Sequence, residues 1–224
     1  MLRPSNAICM LDRPSDEGPT AKHQRSTVIA VVDYGAGNLR SVTNVLDRIG
    51  AQYQVVDDGR SLIGATKILL PGVGHFGQLC DALDKRDLRS TLVDALNNGV
   101  SYLGICLGMQ VLFAQSEEAE GSRGLSIFNG SIRKFDSSER IPHMGWNTLE
   151  SRAKSALLEA TDSEQYAYFA HSYFCPVIDS TTFTTSYDSN FSSVIEHGNI
   201  FGLQFHPEKS GQIGIDIITK FVGL

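Results

Sequence analysis

The sequence predicts an α/β protein: an open, mostly parallel sheet flanked by helices, with an antiparallel extension towards the C-terminal end. Two observations predict it. Through the first half, short branched apolar runs alternate with amphipathic stretches of helical period, the order of parallel strands joined by helices. Beyond Tyr166, several short apolar runs follow one another with no helical stretch until Ile213, as antiparallel strands do.

Met1 to Ser26 stands apart. It holds Pro4, Pro14 and Pro19, mixed charges and no sustained periodicity, so residues 1–26 read as a disordered extension ahead of one domain, 27–224. Its apolar cluster, Ala7 to Leu11, is too short for a secretory signal, and Asp12, Asp16 and Glu17 argue against an organelle transit peptide.

Order begins with Val28-Ile-Ala-Val-Val32, a branched apolar strand closed by Asp33-Tyr-Gly-Ala-Gly37. Asn38 is placed to cap a helix whose apolar positions Leu39, Val42, Val45, Leu46 and Ile49 recur at helical spacing before Gly50. A dinucleotide-binding turn would need a third glycine that is not there, so a plain tight connection is the better reading. Tyr53 to Val56 is a second strand and Lys67 to Leu70 a third, running into Pro71-Gly-Val-Gly-His-Phe-Gly77. Glycines on both sides of Val73 allow a backbone that points amide groups at a developing oxyanion; an ordinary turn is the alternative. Asp87 to Asn98 is an amphipathic helix carrying Leu88, Leu92, Val93 and Leu96.

Val100 to Ile105 has the look of a short buried strand, and Met109 to Ala114, free of Gly and Pro, reads as a helix. Between them Cys106 is flanked by Gly104 and Gly108. A sharp strand-to-helix turn needs small neighbours, so Gly-x-Cys-x-Gly is the thiol counterpart of the serine nucleophile elbow. At a helix N-terminus unpaired amides favour thiolate over thiol. The competing reading is a buried filler cysteine. Ligands in open parallel sheets bind at the carboxyl ends of strands, which puts the Val73 loop and Cys106 on one crevice.

The middle is richer in turns. Glu117 to Glu120 reads as a solvated acidic cap after a helix. Pro142-His-Met-Gly-Trp-Asn147 is denser than a loop requires, and Trp146 is open between core and docking surface. Tyr166 to Ala170 is a strand ending in His171-Ser-Tyr173. Thr181 to Tyr187 and Ser193 to His197 are further strands, Asn199 to Phe205 the last, and Ile213 to Val222 a closing helix.

A nucleophilic thiol needs a base. His206 stands out among six histidines because Glu208 follows two residues on, and in extended backbone those side chains point the same way. A carboxylate so placed orients one imidazole nitrogen while the other faces the thiol. His171 is second choice; His75, His143 and His197 lack a nearby carboxylate in sequence, and His23 lies in the extension.

Composition narrows the class. A formal net charge of −6 argues against nucleic-acid binding as the main function. No apolar run approaches the ~18 residues of a membrane span. Cys9, Cys80, Cys106 and Cys175 are widely spaced with no Cys-x-x-Cys pair, which reads as reduced thiols of a cytosolic protein without a metal site.

Gly104-Ile-Cys-Leu-Gly-Met-Gln110, the 71–77 loop and His206-Pro-Glu-Lys-Ser210 together resemble the triad-type glutamine amidotransferases. Tyr34-Gly-Ala-Gly-Asn38, Pro142-His-Met-Gly-Trp-Asn147 and His171-Ser-Tyr173 make the chain similar to the glutaminase subunits of imidazole glycerol phosphate synthases. The resemblance implies a class I glutamine amidotransferase-like, flavodoxin-like fold and no cofactor. It implies Cys106 as nucleophile towards L-glutamine, His206 as base and Glu208 as its orienter. It implies an oxyanion held by the amides of Leu107 and, after a peptide rearrangement, Val73. Gly74, Gln110, Glu118, Ser172 and Tyr173 match positions that hold the glutamine head. The implied partner is a (β/α)₈ cyclase subunit that receives the ammonia for histidine biosynthesis, with Asn38, Met144, Trp146 and Lys209 matching interface positions.

Overall fold

Strand alternation decides which face of the sheet each residue serves. In the computed structural model, which describes residues 28–36, 38–136 and 140–224, the first strand β1 (Ile29–Val32) is buried on both faces. The extension expected over 1–26, with Cys9 and His23, lies outside the described residues. β1 is followed by α1 (Leu39–Arg48), β2 (Tyr53–Val56), a short α2 (Gly59–Leu62), β3 (Lys67–Gly72), α3 (Phe76–Lys85), α4 (Leu88–Asn97), β4 (Ser101–Cys106) and the one-turn α5 (Leu107–Gln110). Next come β5 (Phe113–Ser116), β6 (Phe128–Lys134), β7 (His143–Ser151), β8 (Gln165–His171) and β9 (Tyr173–Phe174). The chain closes through β10 (Thr181–Ser186), β11 (Asn190–His197), β12 (Ile200–Leu203), a 3₁₀ turn at Pro207–Lys209 and α6 (Gly211–Gly223).

The main sheet runs β2-β1-β3-β4-β12-β11-β10-β7-β8. Its first five strands are parallel, in the 2-1-3-4-5 order of doubly wound folds with β12 in fifth place. From β12 outward every pairing is antiparallel, the extension anticipated from sequence. A small second sheet, β5-β6-β9, lies beside it. Ile29, Val31, Leu69, Leu103 and Ile105 pack with Val42 and Leu46 of α1 and Ile217 and Phe221 of α6. Ala30, Val32, Ile68, Leu70 and Tyr102 point the other way, onto Phe76, Leu79, Leu88 and Leu92 of α3 and α4. Each fully buried Leu, Ile or Phe contributes about 1.5–3 kcal/mol, so this two-sided burial holds the strand ends where the site is built.

Three local expectations need correction. The helix expected over Met109–Ala114 is a single turn ending at Gln110, because Phe113–Ser116 is drawn into β5 alongside β6. Leu125 N–H donates to Val111 O at 2.6 Å, and those of Ile127 and Phe128 to Leu112 O at 2.9 and 3.0 Å. Phe113 then opens β5, its ring 5.5 Å from Phe128. His143–Asn147, read from sequence as a dense loop, opens β7, paired from His143↔His171 to Leu149↔Gln165. The stretch Gly77–Arg86, left without a helix from sequence, is mostly α3; Phe76, Leu79, Cys80 and Leu83 are its buried stripe. Asn38 does precede α1, but its side chain accepts from the Ser41 hydroxyl at 2.7 Å and makes no cap bond to backbone.

Candidate active site

Cys106 ends β4 with φ 53° and ψ −107°, a left-handed-side conformation that a non-glycine residue adopts only under constraint. The flanking glycines supply that constraint. A Cβ on Gly104 would stand 2.3 Å from the Gly108 carbonyl oxygen, and one on Gly108 would stand 2.0 Å from that of Leu70. The turn closes only because neither residue has a side chain.

β12 lies beside β4 in parallel register, Leu203 opposite Ile105, so the segments leaving both strands emerge side by side. This brings His206 to Cys106 across a hundred residues of chain. His206 Nδ1 donates to Glu208 Oε1 at 2.9 Å, leaving Nε2 for Cys106, whose charge and hydrogen bonding act on the imidazole. Both side chains are almost fully buried, His206 at 3% exposure and Glu208 at 1%. Burial alone would lower the His206 pKa. The charge and hydrogen bond of Cys106, and then Glu208, outweigh it and raise it to about 10.

The His-Glu contact forms, though not through extended backbone as the sequence suggested. Pro207–Lys209 is a 3₁₀ turn that folds Glu208 back onto His206. Ser210 fastens the turn: its hydroxyl donates to His206 O at 2.7 Å and accepts from Tyr168 N at 3.0 Å.

A cavity of about 190 Å³ opens beside the sulfur. Cys106, Leu107 and Gln110 line one wall, Val73 and Gly74 another, with Glu118, Ser172 and Tyr173 beyond and Pro142, Met144, Ala170 and His171 at the β7–β8 side. All the residues singled out for oxyanion and glutamine head thus border this one space. Glu118 Oε2 accepts from Phe76 N at 2.7 Å, so this carboxylate is built into the wall and is no solvated cap. Val73 is turned away. Its N–H donates to the Tyr34 hydroxyl oxygen at 2.9 Å, and that hydroxyl donates to Val73 O at 2.7 Å. Burial, first among several causes, pushes the Tyr34 pKa to about 12, so the hydroxyl keeps its proton.

His171, the second choice as base, has both nitrogens occupied. Nδ1 donates to Tyr173 O at 2.9 Å, and Nε2 lies 3.2 Å from His143 Nδ1. Burial lowers the His171 pKa to about 3, with His143 adding to the fall, and burial lowers that of His143 to about 4. Both rings are neutral at ordinary pH.

The four residues singled out as interface positions sit towards the outside. Strand alternation turns His143 inward and Met144 and Trp146 outward, leaving them 63% and 57% exposed. Trp146 is therefore no core residue. Its ring meets Tyr168 edge-on at 6.1 Å, and the Lys209 ammonium lies 5.6 Å over the same Tyr168 ring. Asn38 is half-buried at the start of α1.

Two residues of the site went unmarked in the sequence. Tyr34 belongs in sequence to a glycine turn, and nothing local marks it as the partner of Val73. Gln204 is fully buried and its Nε2 lies 3.7 Å from the Cys106 sulfur. The available signal was an amide in the otherwise apolar run Ile200–Phe205.

With this geometry in hand, comparison decides the family. The family model described as glutamine amidotransferase class-I matches residues 30–222. The chain belongs to that family. Within it, the chain is 42% identical over 198 residues to the imidazole glycerol phosphate synthase subunit HisH of Bacillus cereus, covering 88% of this chain and 95% of that one. It is 42% identical over 197 residues to HisH of Deinococcus radiodurans, covering 86% and 92%. For HisH of Methanocaldococcus jannaschii the figures are 42% over 198 residues, covering 88% and 100%. Among solved structures, PurLQS from Thermotoga maritima aligns with a TM-score of 0.69 at 20% identity, over 88% of this chain and 98% of that one. A crystal structure of a glutamine amidotransferase aligns with a TM-score of 0.69 at 15% identity, over 88% and 99%. These two likenesses establish the class I amidotransferase fold.

Proposed function

We propose that this chain is the glutaminase subunit of an imidazole glycerol phosphate synthase, hydrolysing L-glutamine at Cys106 and passing ammonia to a (β/α)₈ cyclase subunit. The observation that carries the reading is the line Cys106–His206–Glu208, whose sulfur borders a cavity of about 190 Å³. Ligand pockets for larger molecules run about 300–1,000 Å³, so this one suits a single small metabolite.

The chemistry follows from the atoms. The Cys106 thiolate attacks the side-chain amide carbon of glutamine, and the carbonyl electron pair moves onto oxygen. Imidazolium at His206 delivers its Nε2 proton to the amide nitrogen, the carbon–nitrogen bond breaks, and ammonia departs. A γ-glutamyl thioester remains. Water attacks it with His206 taking the proton, and glutamate leaves. Glu208 holds the ring through Nδ1 and balances its charge. The oxyanion is received by Leu107 N–H. Val73 N–H joins it only when the peptide leaves Tyr34 and turns towards the cavity.

Binding of the amino-acid head rests on hydrogen-bond arithmetic. Gln110 Nε2 donates to Tyr173 O at 2.8 Å and to Gln204 Oε1 at 3.2 Å, which uses both its protons. Its Oε1 is left to accept from the substrate ammonium, beside the Glu118 carboxylate. Ser172, Tyr173 and Gly74 complete the wall.

Met144, Trp146 and Lys209 offer an exposed aromatic and cationic patch for the cyclase, with Asn38 as a fourth contact. Cys80, Cys106 and Cys175 are free thiols, and no described helix is long and apolar enough to cross a membrane. Both facts are in keeping with a cytosolic enzyme.

The test is glutamate release with and without the cyclase and its nucleotide. The reading predicts weak turnover alone and strong turnover in the complex. It also predicts that Cys106→Ala abolishes glutamine-dependent synthesis while synthesis from added ammonium salt survives. Partner-indifferent turnover, or loss of both syntheses, would contradict it.

A further inference from the structure

We propose that Gln204 is a further catalytic residue: its side-chain N–H donates to the Cys106 sulfur and stabilises the ionised form that attacks. The inference rests on the glutaminase reading and goes beyond the triad.

Side-chain amides can be built either way round, so the polarity has to be earned from fixed groups. Here the chain of bonds fixes it. The Tyr173 carbonyl can only accept, so the Gln110 atom 2.8 Å from it is nitrogen. That nitrogen's second proton points at Gln204, 3.2 Å away, so the facing Gln204 atom must be oxygen. The other end of the Gln204 amide is then the nitrogen, and it lies 3.7 Å from the sulfur. The side chain is fully buried, so no bulk water competes for either end. Parallel register explains the placement, because Leu203 opposite Ile105 sets the next residue, Gln204, across from Cys106.

The same carbonyl anchors a second arm. Tyr173 O also accepts from His171 Nδ1 at 2.9 Å, which makes His171 Nε2 the acceptor for His143 Nδ1 at 3.2 Å. His143 Nε2 in turn accepts from Asn147 Nδ2 at 3.2 Å, and Asn147 Nδ2 donates to Ser186 O at 3.0 Å. Every direction is forced from a carbonyl end. The amide that faces the sulfur is therefore tied, bond by bond, to β7, the strand that exposes Met144 and Trp146.

A donor is needed here. The helix after Cys106 is one turn long, which leaves little macrodipole to favour a thiolate. The ionisable groups around the sulfur are His206, backed by Glu208, from the end of β12, Tyr34 from the end of β1, buried Cys175 after β9, and, across the cavity, Glu118, His171 and Tyr173. Of these only His206 brings a positive charge. Gln204 adds a neutral donor on a different side, and hydrogen bonds to a charged form favour that form.

The experiment reads the pH dependence of Cys106 alkylation by iodoacetamide on the full chain, followed by mass at the Cys106 peptide, with thermal midpoints taken alongside. For Gln204→Met the half-maximal pH is expected to rise by about one unit, roughly tenfold less reactive thiolate on the acid side. The neutral Gln204→Leu, which also lacks the N–H, is expected to move it the same way and decides the matter if the Met variant does not fold. Profiles superimposing on the wild type, with or without a lowered thermal midpoint, would show a packing role only and overturn the inference. Wild-type glutamate release separates the two layers. If wild type cleaves glutamine and the profiles coincide, only the role of Gln204 falls; if wild type with its partner cleaves none, the glutaminase reading fails and takes this inference with it.

Discussion

The two halves of the main sheet ask different things of their residues. In the parallel half, β1, β3 and β4 are buried on both faces almost throughout, and the chemistry-bearing groups gather at their carboxyl ends. In the antiparallel half, β7 and β8 alternate, and polar groups are set into the aromatic interior: His143, His171, Thr185 and Ser192 are all buried, as are Phe169 and Phe191 beside His143. The first half is a rigid apolar mount for the nucleophile. The second carries a hydrogen-bond network inside and Met144 and Trp146 outside. β12 belongs to both, parallel to β4 and antiparallel to β11, and it is β12 and the turn after it that bring Gln204 and His206 to the sulfur. A site on such a seam gets precise placement from one side and a route to a docking face from the other.

This contrast can be broken or sharpened by mutation. The largest effect belongs to the outer face. Met144→Ala with Trp146→Ala removes two exposed side chains, so unfolding free energy is expected to stay within about 0.5 kcal/mol of wild type. Partner affinity, by titration calorimetry, is expected to fall about thirtyfold, roughly 2 kcal/mol for truncated hot spots. A large stability loss with unchanged affinity would make the face part of the core instead.

Next is the mount. Tyr34→Phe deletes the hydroxyl that holds the Val73 peptide from both its N–H and its C=O. Glutamate release without partner is expected to rise about tenfold, or ~1.4 kcal/mol of barrier. A drop would mean that the hydroxyl supports turnover instead of restraining the peptide.

The smallest effect tests the polar interior through pH. With a folded pKa near 4 against ~6.5 unfolded, His143 binds fewer protons folded than unfolded within that window. Stability is therefore full above about pH 6.5 and is lost as pH falls through the window. His143→Gln is expected to flatten the acid-side slope by up to ~1.4 kcal/mol per pH unit, read from urea midpoints. His171, lowered to about 3, keeps part of the slope. An unchanged slope would remove His143 from the account.

The same contrast explains what could be read in the sequence. Runs such as Ile29–Val32 and Ile68–Leu70 are legible because a strand buried on both faces has to be apolar at every position. Gly104 and Gly108 are legible because a tight turn excludes every other side chain. β7 was not, since Pro142 precedes it, Gly145 interrupts it, and its first buried position is His143 where an apolar residue would have marked it. Glu118 resembled a solvated cap because its partner, Phe76 N–H, is supplied by a segment forty-two residues away. The short α5 followed from the pairing of Phe113–Ser116 with β6, a contact without local trace. Gln204 has meaning only once β12 lies beside β4. Pairings between distant strands decide these cases, and single positions carry no sign of them.

The central claim is that the Cys106 sulfur, served by His206, forms a covalent bond to glutamine. Acid quenching of the complex during turnover, followed by peptide mass analysis, tests it most directly. The account predicts an adduct on the Cys106 peptide equal to glutamine less ammonia, absent in Cys106→Ala. Steady glutamate release with that peptide unmodified, or with the adduct on another residue, would contradict it.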